Sequence, residues 1–504
     1  MDLDRFRLRT FLDTLREAGQ LQIEEGPVDL ADVATALDGN PRAVLFRKAG
    51  AEGWSLVGNV AASRERLALA FDTTAAAVVE EVQRRLRLAP EIVEISRQDA
   101  PVQEVVLLGD EADLTTLPVH LQHGLDGGLY ISSSTDFTVD AGTGKTNIGM
   151  RRLMLRGRRE TGVDLVAPSD LRALYQARAE RGERLPVSFV VGSHPIDHVA
   201  ATMRFPGDEL ALLASLRAAP VAVVKCVSND VRVPADSEWV LEGYLDGGWS
   251  EAEGPYGEFL GYYGVVKQNP VFHLTAITRR RDALFQTSTI SGARLDCTDT
   301  AQLGALRTEV TLRRALETAV REVTAVHATT SSGGSFNVRV ALRQRVPGEA
   351  RNAIAAVFAS MVNVKHVFVV DPDIDVFSDA QMDWALATRF QADRDLVVQT
   401  GFRAMPLDPS LGGSATTAKA GFDLTLPFGA ARSLDTLVPE PPRFHGERFI
   451  SVEAALAHGP KNFEALMAAI GSRDGREIVL VLEKLRATGR LGRDGEGRYT
   501  LDRA

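Results

Sequence analysis

Cysteine is almost missing from this chain: its 504 residues include only Cys226 and Cys297. Two thiols imply no disulfide framework. Cys226 sits in the apolar run Val223-Val224-Lys225-Cys226-Val227, where a thiol reads as a small core residue rather than a nucleophile. Long apolar runs are missing as well; none approaches the roughly 18 residues of a membrane-spanning helix. The start, Met1-Asp2-Leu3-Asp4-Arg5-Phe6, has no apolar segment of the secretory kind, which predicts a cytoplasmic protein. Excess positive charge is absent too. Lys and Arg number 57 against 67 Asp and Glu, a net charge of −10, so no global attraction to nucleic acid or anionic lipid is expected.

Two familiar signatures are incomplete. Gly142-Thr143-Gly144-Lys145-Thr146 lacks the earlier glycine of a phosphate loop, Val139 standing there, and reads as a tight turn between strands. His194-Pro195-Ile196-Asp197-His198 lacks the glutamate that zinc peptidases place after the first histidine, and predicts a helix N-terminus with surface histidines. His120 and His123 follow Pro118 as loop histidines, with a pocket-lining role left open.

The length calls for two to four domains. An α+β protein is expected. Residues 1–108 alternate short strands and helices, beginning with a helix over 4–19. Residues 109–303 change to many short strands at 130–134, 187–191, 221–227 and 271–277, interrupted by helices at 169–181 and 208–217: a β-barrel or sandwich with inserted helices. Residues 304–437 form an α/β unit, opening on an amphipathic helix over 304–320 and ending in a flexible loop through Gly412-Gly413 to Ala420. After a linker at 439–442, residues 446–504 read as two helices, 461–471 and 475–488, and a hairpin, a winged-helix-like module. Its basic and acidic residues nearly balance and its second helix is apolar nearly all round at Ile478-Val479-Leu480-Val481-Leu482. That argues for packing against protein over DNA binding; a DNA-binding regulator using this tail on a catalytically silent scaffold is the alternative reading.

The chemistry concentrates in Ala252-Glu253-Gly254-Pro255-Tyr256-Gly257-Glu258. Pro255 fixes its own φ and biases Gly254 towards extended backbone, while Gly257 is free to take positive φ. The turn should present Glu253 and Glu258 together. Two close carboxylates resist ionising at once unless a cation lies between them, and one that keeps its proton is a general acid. Elsewhere Asn147, Asp170 and Glu209 are oxygen donors suited to a hard divalent cation.

These blocks, in order, resemble the UbiD family of reversible decarboxylases over roughly residues 4–430. The similarity runs through Asn147-x4-Arg152, Pro186-Val187-Ser188, Val223 to Asp230, Val240-Leu241-Glu242-Gly243-Tyr244, the Glu253–Glu258 turn, Gly261-Tyr262-Tyr263 and Lys419-Ala-Gly-Phe-Asp423. The resemblance implies a split β-barrel-like central domain that binds prenylated FMN and a C-terminal α/β oligomerisation domain. It implies Arg152 holding the substrate carboxylate and pairing with Glu258, and Glu253 delivering the proton. Asn147, Asp170 and Glu209 would hold the divalent metal (Mn²⁺, with Mg²⁺ or Fe²⁺ as alternatives); Asp170 stands where the family has histidine. Ala201–Met203 backbone with Glu209 would take K⁺. Asn147, Ile148, Met150, Arg151, Ser169, Met203 and Lys419 would contact the cofactor. In a regular strand Arg151 and Arg152 point to opposite faces, so only Arg152 is expected in the pocket. A flavin prenyltransferase would supply the cofactor, and the chain would form dimers or hexamers through residues 320–430. Substrate choice would involve residues 290–295 and a mobile loop at 400–420. Arg294 is either a partner for a second anionic group on the substrate or a solvated loop arginine.

Overall fold

The computed structural model describes residues 2–429 and 434–502, without the side chain of Asp435. Parts of the expected segments 304–437 and 446–504 therefore lie outside the described residues, at 430–433 and 503–504. The chain divides into two compact units, one through Thr425 and one from Leu426.

Six antiparallel strands close into a barrel at the heart of the first unit. Around it run Trp239–Glu253, Leu185–Val191, Tyr130–Val139, Thr146–Leu155, Glu160–Val163 and Lys267–Arg279, which pairs back onto Trp239–Glu253. The choice between barrel and sandwich is thus resolved, and closure leaves these strands few free edges. Successive strand side chains point to opposite faces. Accordingly Val187, Phe189 and Val191 join Trp239 and Leu241 in one core, whereas Val190 joins Val240 in another. The first core reaches Val44 and Phe46; the second reaches Val199, Leu210 and Leu213. Both faces are covered, so the strands read as unbroken apolar runs rather than alternating ones.

Capped helices surround the barrel. Ser169 accepts from the Arg172 N–H at 3.3 Å to start Asp170–Ala179, and Asp208 accepts from the Leu210 N–H at 3.0 Å to start Glu209–Arg217. Thr298 accepts from the Ala301 N–H at 3.2 Å, so the helix expected over 304–320 spans Asp299–Leu316 instead. Gly304 lies inside it because a Cβ there would come within 3.2 Å of the Gly333 carbonyl oxygen. The N-terminal sheet, Leu21–Val28, Ala43–Ala49 and Trp54–Gly58, takes Leu284–Gln286 as a fourth strand. That pairing brings residues 287–292 back beside the barrel.

Two expectations fail. His194 and His198 are buried, not on the surface. His194 accepts from the Ile196 N–H through Nδ1 and meets the edges of Phe6 and Phe11. Burial pushes both imidazoles down, His198 to about 4, so they are neutral. The second is the extent of the loop expected at 400–420. Only residues 404–415, which include Gly412-Gly413, lie between strands; Leu396–Arg403 and Thr416–Asp423 flank them and complete a five-stranded sheet with Val323–Ala328, Asn337–Leu342 and His366–Val370. Packing overrides composition here, since Phe422 stacks on Phe368 at 4.6 Å.

The second unit carries helices Val452–Ala457, Phe463–Ile470 and Arg476–Ala487 and a hairpin of Leu491–Arg493 with Tyr499–Leu501. The first of these helices was not expected. The last carries apolar residues on both faces, as its sequence does: Ile478, Leu482 and Leu485 are buried, while Val479 and Leu480 are exposed. No described helix is long and apolar enough to cross a membrane.

Candidate active site

Arg152 lies on Thr146–Leu155 opposite an irregularity. Ile131 pairs with Leu153 and Ser134 with Arg151, so Ser132 and Ser133 together face Arg152. Such a bulge bends its own strand and re-aims its side chains. Arg151 and Arg152 keep different partners, but Arg151 curls back to donate to the Met150 carbonyl at 2.8 Å, and both line one cavity of about 300 Å³ where only Arg152 was expected. Arg151 sits 3.3 Å from Asp136 through Nε and donates to the Ser169 hydroxyl at 3.4 Å.

The Arg152 guanidinium gathers three carboxylates: Asp164 at 2.8 Å from Nη2, Glu253 at 3.2 Å from Nε and Glu258 at 3.2 Å from Nη1. Its face lies 4.7 Å from the centre of the Tyr256 ring. The turn that delivers the two glutamates differs in detail from expectation. Gly254, not Gly257, takes the positive φ, at 99°, a conformation open to glycine. Gly257 is required for space, since a Cβ there would lie 2.5 Å from His123 Nδ1. Gly264 likewise gives the Glu258 carboxylate its room, with 2.7 Å from Oε1 to a Cβ.

Several partners escaped the sequence reading. Lys267 pairs directly across from Glu253 in the barrel and places Nζ 3.0 Å from Asp164 and 3.7 Å from Glu258. Asn269, on the same strand face, donates to Glu253 Oε2 at 3.0 Å. The Tyr256 hydroxyl donates to Gln122, whose amide donates to Ser132 Oγ at 2.6 Å. The strand register from the turn, counted back two residues from Asn269, was the available signal for Lys267; Asp164 had none, since it simply follows the strand Glu160–Val163. Gln122, His120 and His123 line an adjoining cavity of about 250 Å³, which settles the open question about the loop histidines.

The electrostatics separate the carboxylates. Burial works against the charge of Asp164, yet Arg152 and Lys267 win and hold it below the usual range. At Glu258 burial wins over the same two cations and pushes the carboxyl up. Burial also favours loss of the Arg152 charge, but Glu258, Glu253 and Asp164 keep it firmly protonated. Three carboxylates against two cations leave one surplus negative charge, which a single proton removes. Glu258 lines the 300 Å³ cavity; Glu253, though in contact with Arg152, is not among the lining residues.

Asn147, Asp170 and Glu209 also come together, lining a separate cavity of about 390 Å³. Asp170 and Glu209 each open a helix, so two positive helix N-termini meet there. Glu209 accepts from the Ile148 N–H at 2.5 Å, and Asn147 donates to Asp136 at 3.2 Å, which leaves its amide oxygen free. Burial, with Asp136 and Asp170 nearby, pushes Glu209 up to about 7. Among the described residues no three His, Cys, Asp or Glu side chains form a metal cluster; the donor set here is two carboxylates and an amide, which fits a hard cation beside an anion. Met150 lines the Arg152 cavity, Met203 lines another, and Ala201–Met203 ends the helix Pro195–Thr202, where carbonyls lack helical partners. Lys419 is not brought to these cavities. It is buried and donates to the Phe358 carbonyl at 2.9 Å, and burial lowers it to about 8. Arg294 is exposed and paired with Asp296 at 3.1 Å.

Known proteins match this chain in three consecutive stretches. Three models of the 3-octaprenyl-4-hydroxybenzoate carboxy-lyase (UbiD) family match in order: the N-terminal domain at residues 12–86, the Rift-related domain at 93–294 and the C-terminal domain at 301–424. Anhydromevalonate phosphate decarboxylase of Methanosarcina mazei is 32% identical over 427 residues, 83% of this chain and 95% of the relative. The UbiD-class enzyme HmfF from Pelotomaculum thermopropionicum, solved with FMN, superposes with a TM-score of 0.81 at 31% identity, over 86% of this chain and 97% of that one. An evolved dimeric form of HmfF, solved with prFMN, gives 0.77 at 29%, over 86% and 98%.

Proposed function

Because this chain belongs to the UbiD family of carboxy-lyases, we propose that it is a prenylated-FMN-dependent, non-oxidative, reversible decarboxylase of an aromatic, heteroaromatic or α,β-unsaturated carboxylic acid. The observation that carries this reading is the Arg152 guanidinium, spread over three carboxylates on the wall of a 300 Å³ cavity. Arg152 holds the substrate carboxylate, for which its planar fork is matched. Glu258 is the proton donor: it faces the cavity and its carboxyl is pushed up by burial. Glu253 passes from donor to positioning residue, fixed by Asn269 and holding Arg152 Nε. Lys267 and Asp164 set the orientation of the pair and keep the site one proton from neutrality.

The flavin, when bound, supplies the electron sink that no side chain offers to the carbanion left by CO₂. The cavity walls suit a flat ring system: Tyr256, Met150 and Leu303 with the bare backbone of Gly304 and Gly333. Asn147, Asp170 and Glu209 would hold a divalent cation, Mn²⁺, Mg²⁺ or Fe²⁺, next to the cofactor phosphate, with K⁺ on the Ala201–Met203 carbonyls and Glu209. A flavin prenyltransferase would supply the cofactor, and the chain would act as a homo-oligomer.

The test is purification with and without a co-expressed flavin prenyltransferase, followed by absorbance and CO₂ release from an acid panel. Flavin absorbance with CO₂ release only after co-expression supports the proposal. Full activity in Glu258→Gln or Arg152→Ala overturns the assigned roles.

A further inference from the structure

Most buried and half-buried arginines of this protein are neutralised or capped by an acceptor. Arg64, Arg85, Arg152, Arg217 and Arg389 each contact at least one carboxylate, and Arg66, which has none, donates to Gln20 Oε1 at 3.3 Å and to the Pro41 carbonyl at 2.7 Å. Arg307 has neither a carboxylate nor such an acceptor among the described residues. It lies deep in the first unit on the helix Asp299–Leu316, and among the described residues no carboxylate comes within ion-pair distance of it; the charged group acting on it is another cation, Arg204. Burial and Arg204 lower it to about 10, so it is still charged near neutral pH. An interior charge without a counter-charge is costly, and the expected remedy is an anion from outside the chain.

Its position says which anion. Thr300, Leu303, Gly304 and Arg307 form one stripe of their helix, at helical spacing. That stripe lines the same cavity as Arg152, Tyr256 and Glu258. Asn363 and Met405 line it beside them. The Asn363 carbonyl oxygen accepts from Arg403 at 2.9 Å, and its amide nitrogen meets only the weak acceptor Met405 Sδ, at 3.6 Å, which leaves it a donor for a stronger acceptor. Arg307 also lines a further cavity of about 300 Å³ with Arg204 and Arg314. By contrast, the donor set suited to a metal and the cofactor phosphate lines the 390 Å³ cavity, which shares no lining residue with the Arg152 cavity. Arg294, the other arginine considered for a second anion, is exposed and already paired with Asp296.

We propose that Arg307, assisted by Asn363, binds a second anionic group of the substrate, so that the acid carries a carboxylate or phosphate distal to the carboxyl group held by Arg152. This rests on the decarboxylase reading and narrows its substrate class. Two cations at separate points of one cavity fix a dianionic molecule in one direction, with the bond to be broken at the Arg152 end.

The test uses flavin-loaded protein and three ligands that differ only at the far end: 4-carboxycinnamate, 4-(phosphonooxymethyl)cinnamate and 4-(hydroxymethyl)cinnamate. Calorimetric Kd values should favour at least one charged member over the hydroxymethyl one by about 100-fold, and which member wins tells carboxylate from phosphate. In Arg307→Met that preference should collapse to within about threefold, with flavin occupancy equal to wild type; Arg307→Lys should keep part of it. Equal binding of all three ligands by the wild type, or no binding, overturns the inference. So does an Arg307→Met protein that purifies flavin-poor with its preference intact, because the arginine then serves the cofactor. Should Arg307→Met not fold, the wild-type preference and its partial retention in Arg307→Lys decide. Failure of the underlying reading looks different: flavin-loaded wild type that releases no CO₂ from any acid.

Discussion

Two arginines in this protein each sit among several carboxylates, and only one of these two lines the 300 Å³ cavity. Arg217 lies between Asp197 and Asp236, with contacts of 2.8 and 2.5 Å to the first and 2.6 Å to the second. Its face rests on Phe6 at 5.0 Å, and its fork is filled from both sides by fixed acceptors. Arg152 meets three carboxylates more loosely, one contact at 2.8 Å to Asp164 and the rest, to both oxygens of Glu253 and of Glu258, at 3.2–3.5 Å, with Tyr256 beneath it and a cavity along one edge. A saturated guanidinium is a staple. One whose donors are spread thinly over several acids can exchange a partner for an incoming carboxylate at little cost.

The largest effect expected from this contrast is on catalysis. Glu258→Gln should lower CO₂ release by about 1,000-fold, within the range for loss of a general acid, while the unfolding midpoint moves little. Glu253→Gln should cost less in kcat, since it disturbs only the placing of Arg152. If the order of the two variants is reversed, the donor is Glu253 and a place on the cavity wall does not select the acid. Because the Glu258 carboxyl is raised, the proton it donates is present at low pH and is lost as pH rises through that raised value; the alkaline limb of the rate profile should vanish in Glu258→Gln. On the other side of the comparison, Arg217→Met should destabilise the fold by about 3–5 kcal/mol, as measured by denaturant midpoint, because two buried aspartates lose their partner. Arg152→Met should cost clearly less stability, since its carboxylates retain Lys267 and a cavity edge.

How much of this was legible beforehand depends on how local the signal was. The Glu253–Glu258 turn declared itself through Gly and Pro, and Arg152, Asn147 and Glu209 through ordered blocks of residues. The barrel strands were visible as short runs, but not their order, because apolar residues on both faces erase the period of two that separates barrel from sandwich. Arg151 reaches the cavity for a physical reason: alternation fixes only where its Cβ points, and its long side chain curls back to the Met150 carbonyl on the cavity wall. The strand Thr416–Asp423 was hidden by Gly, Ala and Thr, small residues chosen to fit beneath Ile354, whose side chain would lie 2.4 Å from a Cβ at Gly421. Arg307 carried no local signal at all. A helical arginine becomes informative only when its surroundings are known to lack an acid.

A smaller effect should separate the two regions by pH. His198 is buried neutral, with its imidazole lowered to about 4 against an ordinary value of 6.5. The native state therefore binds fewer protons than the unfolded chain between those values. The stability this contributes is complete above 6.5 and is lost as pH falls towards 4, by about 3 kcal/mol over the window. His194, lowered by burial and by Arg217 itself, acts in the same direction. Acid should thus loosen the staple region, and His198→Phe should flatten the slope in chemical denaturation between pH 4 and 6.5. A slope unchanged by that variant would place the acid sensitivity elsewhere.

The smallest effect probes what supports each arginine from below. Phe6 under Arg217 has no polar handle, and packing alone fixes it. Tyr256 under Arg152 is buried with a hydroxyl that must be satisfied, and Gln122 accepts from it while donating to Ser132 at 2.6 Å. Gln122→Leu strands that hydroxyl, at a cost of about 1–2 kcal/mol in stability. The ring should then tilt and take the face of Arg152 with it, which predicts a fall of about tenfold in kcat/KM expressed mainly in KM, because the carboxylate clamp is displaced while the Glu258 proton is not. Tyr256→Phe removes the hydroxyl and its need for a partner together, so pairing it with Gln122→Leu should recover most of the lost stability. If the double variant is as unstable as Gln122→Leu alone, the hydroxyl is not what Gln122 serves, and the slack around Arg152 is held by the three carboxylates and Lys267 without help from the ring.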